Sequence, residues 1–233
     1  MALFDERQGP LPYFLIAFTL VTGMVDALSF LRLGEVFVAN MTGNIVFLGF
    51  ALAGRREFSV ALHGTALAAF LLGAAAGGRL GRHFKANRPR LLAIGAVVKL
   101  TFGAAALLLA VGQSGWDQDR THYVIVVLMA LSMGLQNAVI RSLGVADMTT
   151  TVYTGILTAF AAESSLAGGT NPRVLRRLVA PGFLALGAAL GACLLGVGGI
   201  VAVLSASLGL LALVGLIAFS LRGSDAAWVS GYR

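Results

Sequence analysis

The sequence predicts an all-α membrane protein, and three observations carry that prediction. Hydrophobic residues make up 58% and charged residues 12% of the 233-residue chain, against roughly 45–50% and about 25% in soluble domains. Six apolar runs stand at 13–31, 60–81, 91–112, 122–140, 181–197 and 200–221, each near the ~20 residues that cross a bilayer as helix. Two further segments, 36–54 and 146–166, are polar near their centres and too short or too polar for a comfortable crossing. The expected architecture is six transmembrane helices plus two re-entrant or broken polar segments, in one domain over 1–233.

The first run is read as a span rather than a signal peptide, because Asp5 and Glu6 precede it and it outlasts a typical ~7–15-residue h-region. Cys193, the only cysteine, lies inside an apolar run, which excludes an intramolecular disulfide and a thiolate metal cluster. His63, His83 and His122 share no metal-ligand spacing, so no metal and no cofactor is expected. The formal charge of +7 sits in short loops, where basic residues orient a membrane protein and meet anionic headgroups. The expected partner is the lipid bilayer, not nucleic acid. Trp116, Tyr123 and Trp228 fit interfacial anchors.

The polar segments are related to each other. Val36 to Gly49 reads V-F-V-A-N-M-T-G-N-I-V-F-L-G, and Ala146 to Phe160 reads A-D-M-T-T-T-V-Y-T-G-I-L-T-A-F, aligning Thr42-Gly43 with Thr154-Gly155. Gly23-Met24-Val25-Asp26-Ala27 matches Gly134-Leu135-Gln136-Asn137-Ala138, and Leu33-Gly34 matches Leu143-Gly144. Gly73-x-x-x-Gly77 matches Gly187-x-x-x-Gly191, a spacing that lets helices approach closely. The order and near-constant offset predict two repeats of about 112 residues, repeat one over 12–112 and repeat two over 121–222.

Charge sets their orientation. Arg79, Arg82, Lys85, Arg88 and Arg90 form the most basic loop, which should be cytoplasmic. If all eight segments cross, nine basic residues fall outside and seven inside, against the rule. If 36–54 and 146–166 enter and leave on one side, twelve fall inside and four outside, with Lys99 within a span. Both termini are then cytoplasmic, each half has three spans, and the repeats are inverted.

Irregular backbone survives at membrane depth only where it lines a cavity or is buried in protein. Val36 to Ala39 and Thr149 to Tyr153 are expected as extended arms, with Asn40, Thr42 or Thr154 capping a half-helix. Two half-helix amino termini meeting near the midplane favour an anion or a polar acceptor group. The candidate substrate-binding residues are Asn40, Thr42, Gly43, Asn44, Thr151, Thr154 and Gly155. Asp26 and Lys99, ionisable within spans, are candidates for charge or ion coupling, together with Gln136 and Asn137 at the repeat position of Asp26. Lys99 has Asp26, Asp147 and Glu163 as candidate partners. The competing reading is that these polar groups serve local backbone only.

No G-x-S-x-G, H-E-x-x-H or Walker pattern occurs, so no enzymatic activity is expected. The motifs G-M-V-D-A-L-S-F at Gly23 to Phe30, F-V-A-N-M-T-G-N at Phe37 to Asn44 and G-L-Q-N-A at Gly134 to Ala138 resemble the YoaK-type family of bacterial integral membrane proteins. The resemblance covers nearly the whole chain. It implies a bacterial inner-membrane protein of about six spans with a role in small-molecule transport, and it supplies no substrate. The expected function is a secondary transporter or permease for a small polar or anionic molecule or ion. A channel and a non-transporting scaffold or assembly protein are the alternatives, and a homodimer suits so small a chain.

Overall fold

A computed structural model describes residues 9–84, 87–112, 118–144, 153–170, 174–221 and 228–229. The described residues are helical: α1 Leu11–Arg32, α2 Met41–Leu52, α3 Val60–Phe84, α4 Arg88–Val111, α5 Gln118–Leu143, α6 Tyr153–Ala162 and α7 Val174–Ser220, with one 3-10 turn at Ser165–Ala167. Five of these helices are long and apolar enough to cross a membrane. The chain is a multi-pass membrane protein.

Local chemistry accounts for the boundaries. Pro10 precedes α1 and Pro12 lies in its first turn, where a missing N–H costs nothing. The helix ends where Gly34 and Glu35 adopt positive φ, at 101° and 55°. Asn87 caps α4 by accepting the Arg90 amide at 2.9 Å. The 47-residue α7 would extend ~70 Å if straight, more than twice the hydrocarbon thickness. It is broken at Gly198 (φ −140°) and Gly199 (φ 62°), so the runs at 181–197 and 200–221 are two arms. Only glycine takes the Gly199 conformation without strain.

The helix ends gather on two faces. On one, the Arg88 amide donates to the Val229 carbonyl at 3.1 Å, and Gly9 lies so close to the Trp228 ring that a Cβ there would stand 2.5 Å from it. Trp228 is therefore buried against the residues that lead into α1 rather than displayed as an anchor. On the other face, Phe30 to Arg32 at the end of α1, Gln118 and His122 at the start of α5, and Gly199 line one open cavity of about 750 Å³.

Two glycine seams form the core. Gly23 of α1 abuts the Leu184 carbonyl and the Ala188 amide of α7, while Gly187 and Gly191 abut Leu20 and Met24. Gly134 of α5 abuts the Phe70 carbonyl and the Ala74 amide of α3, while Gly73 and Gly77 abut Leu131 and Leu135. The repeat offsets map every one of these contacts onto its counterpart. In each seam the contacts rise together along both chains, so the helices run parallel. The glycine pairs are thus internal packing faces. Lipid tails give no hydrophobic drive for helix association, so backbone approach through small residues does that work.

The two short helices are 12 and 10 residues, about 18 and 15 Å long, too short to span. They occupy the two polar segments, α2 packed on α3 and α6 on α7. The arm before α2 is non-helical, as expected. Tyr153, expected in an extended arm, is instead the first residue of α6; Thr149 to Val152 lie outside the described residues.

Candidate functional site

The site is built on one stripe of α1. Thr19, Thr22, Asp26 and Ser29 are all buried, and their spacing of three and four residues puts them on one helix face. Thr19, Thr22 and Ser29 were not among the expected residues. Polar residues recurring at helical spacing inside an apolar run were the available signal.

Asp26 is the hub. Its Oδ1 accepts the Val38 amide at 3.0 Å and the Ala39 amide at 2.9 Å, and its Oδ2 accepts from the Asn40 side-chain amide. A carboxylate buried in an apolar span is costly unless hydrogen-bonded, and here the irregular arm supplies the donors. Asn40 stands at the amino-terminal cap position of α2, but its side chain makes no cap; the expected capping role gives way to the carboxylate. Thr42 lies inside α2 and is exposed, so it caps nothing either.

Asn44, only 1% exposed, reaches back along the same arm. Its Oδ1 accepts the Phe37 amide at 2.9 Å and its Nδ2 donates to the Phe37 carbonyl. One side chain therefore satisfies both backbone groups of a residue that has no strand neighbour. The Phe37 ring covers Gly43, where a Cβ would stand 2.6 Å from it. Asn44→Ala should leave both Phe37 groups unpaired and destabilise the protein by about 2–4 kcal/mol. Its thermal unfolding midpoint in detergent is the check, and an unchanged midpoint would contradict this role.

A second cluster lies one turn nearer the start of α1. Lys99, 4% exposed at the middle of the 24-residue α4, donates to Gln136 Oε1 of α5. Gln136 Nε2 donates to Thr22 Oγ1 at 3.1 Å, and Thr22 donates to the Phe18 carbonyl at 2.8 Å. The Lys99 ammonium also stands 5.5 Å from the centroid of the Phe18 ring, a cation–π contact. Lys99 is thus held by Gln136, with neither Asp26 nor Glu163 among its partners; Asp147, the third carboxylate considered for it, lies outside the described residues. Glu163 pairs with Arg177 at 2.9 Å, and Arg177 also donates to the Ala159 carbonyl at 2.9 Å, closing the carboxyl end of α6 as a cation suits it. Asn137, half-buried, donates to the Met133 carbonyl of its own helix at 3.0 Å.

The second polar segment is less enclosed. Thr154 and Gly155 are exposed on α6, while Thr151 and Asp147 lie outside the described residues. Tyr153 is buried, with its hydroxyl directed toward Thr19 and the Asp26 side of α1. The structure thus brings Asp26, Asn40 and Asn44 together at the start of α2, and Lys99 and Gln136 together beside Thr22. It leaves Thr42, Thr154 and Gly155 on the outside. No group of three or more metal-ligating side chains occurs among the described residues.

The chain is similar to the UPF0700 transmembrane protein YoaK of Bacillus subtilis (strain 168), 33% identical over 147 residues, a stretch covering 63% of this chain and 64% of that protein. The alignment thus reaches a little under two thirds of that relative's length. No solved structure matches the chain. A family model described as a protein of unknown function (DUF1275) matches residues 14–217. With its YoaK-like motifs inside that span, the chain belongs to the DUF1275 family.

Proposed function

We propose that the protein is a secondary transporter or permease of the bacterial inner membrane for a small polar or anionic molecule. Six crossing segments, two half-helices and two inverted repeats over 12–112 and 121–222 make up the proposed machine. The observation that carries the reading is the buried polar pair of clusters on α1. Asp26 holds an irregular arm at the start of a half-helix, one turn from the buried Lys99–Gln136–Thr22 chain. Interrupted segments that present half-helix starts inside a bundle are the recurrent pointer to transporter sites. Alternating access would come from sliding at the glycine seams, which join α1 to α7 and α3 to α5 across the repeats.

Shared helix ends support the six-crossing arrangement. Gly9, Arg88 and Val229 meet on one face, whereas eight crossings would put the start of α1 and the start of α4 on opposite faces. The basic loop 79–90 supports a cytoplasmic position for that face. Thr170, exposed after α6, reports sidedness. With Cys193→Ser and Thr170→Cys, an impermeant maleimide should label inverted vesicles and not intact cells. Labelling of intact cells would overturn the inverted repeat. Counterflow in proteoliposomes with labelled chloride, acetate and lactate then tests transport. Saturable exchange of one of them is expected, and absence of any flux would defeat the proposal.

A second reading, a non-transporting scaffold, is favoured by Asn44, whose side chain is engaged with Phe37 and Met41 of its own segment. A partner that co-purifies stably, with no flux, would select it.

A further inference from the structure

A small cavity of about 20 Å³ lies within the bundle, lined by Lys99 and Gly103 of α4, Ser132 and Met133 of α5, Val21 and Val25 of α1 and Ser207 of α7. It has room for about one water-sized particle. Lys99, Ser132 and Ser207 are 4%, 5% and 3% exposed. The Ser207 hydroxyl has no hydrogen-bond partner among the described residues. The ammonium has three donors, and its described partners are Gln136 Oε1 and the face of the Phe18 ring. No carboxylate lines the cavity. A charged group buried without a counter-charge is heavily penalised, and the middle of α4 lies about 18 Å from either helix end.

We propose that this cavity binds one small monovalent inorganic anion, a halide such as chloride or bromide, on the Lys99 ammonium and the Ser207 hydroxyl. Charge follows from an ammonium on a wall that carries no carboxylate. Size follows from the cavity, whose volume is near that of one small ion and below that of sulfate, phosphate or an organic acid. The apolar remainder of the wall, Val21, Val25, Met133 and Leu204, suits a weakly hydrated spherical ion. The inference rests on the transport reading for the ion's route and names a ligand class for it, while binding itself is measured without transport.

The test is thermal unfolding of the purified protein in detergent, titrated with sodium bromide against sodium gluconate at constant ionic strength. Bromide should raise the midpoint saturably, by about 5 °C or more at a hundredfold excess over Kd, and sodium sulfate should not. Lys99→Gln should abolish the shift, and Ser207→Ala should weaken the apparent affinity about three- to tenfold, the loss of one hydrogen bond. If Lys99→Gln does not fold, Ser207→Leu, which fills the cavity and keeps the ammonium, should abolish the shift instead. A wild-type midpoint indifferent to bromide, or an equal shift in the variants that fold, would overturn the site. Bromide binding without flux in proteoliposomes would remove the transport reading and leave the site in place; flux of another solute without the bromide shift would do the reverse.

Discussion

Asp26→Ala should unfold the start of α2 and lower stability by about 3–6 kcal/mol. The substitution strips acceptors from the amides of Val38 and Ala39 and from the side chain of Asn40. Each buried donor left unpaired costs about 1–3 kcal/mol, and no water enters an apolar span cheaply to replace the carboxylate. For a chain of this size the midpoint should fall by roughly 2–4 °C per kcal/mol. Asp26→Asn should be much milder. Its Oδ1 can still accept the two backbone amides, and its Nδ2 can donate to Asn40 once that amide is flipped. A cysteine introduced at Val38, buried in the native protein, should become reactive in Asp26→Ala and stay protected in Asp26→Asn. Equal behaviour of the two variants would show that the charge, not the hydrogen-bond geometry, holds the arm.

Leucine at Gly73 or at Gly187 should prevent the bundle from closing. At Gly73 even a Cβ would collide with the Leu131 carbonyl, and at Gly187 with the Leu20 carbonyl. The obstacle in each case is backbone, which cannot rotate aside, so the two helices must separate along the whole seam. Overpacking a soluble core typically costs about 1–3 kcal/mol, and separating a backbone-to-backbone seam should exceed that. The two variants should fail alike, because each glycine meets a backbone carbonyl at nearly the same distance in its seam. Gly64 and Gly182, where a Cβ meets nothing within 4 Å, are the controls and should accept alanine. Yield of monodisperse protein by size-exclusion chromatography reads the outcome. A monodisperse Gly73→Leu protein at wild-type yield would contradict the seam.

Much of the architecture was legible in the sequence because a bilayer imposes a simple rule. Length and apolarity alone placed helices at 13–31, 60–81, 91–112 and 122–140, and the observed α1, α3, α4 and α5 differ from these mainly by polar turns added at their ends. The runs 181–197 and 200–221 were separated in the sequence by Gly198 and Gly199, and the helix breaks at those residues. Glycine spacing likewise marked Gly73, Gly77, Gly187 and Gly191 as a close-packing face.

Partnership was not legible, because spacing along a chain says nothing about which helix stands opposite. The seams join α1 to α7 and α3 to α5, helices far apart in the sequence. Asn40 and Thr42 have the composition of helix caps, yet Asn40 turns to Asp26, a stronger acceptor brought in from α1. Lys99 was matched on charge to carboxylates, but Gln136 is the group that α5 sets against it. Membrane insertion is decided residue by residue, through transfer energies that composition records. Hydrogen bonds in the interior are decided by which donors and acceptors the packed helices bring within reach, and only the tertiary structure holds that information.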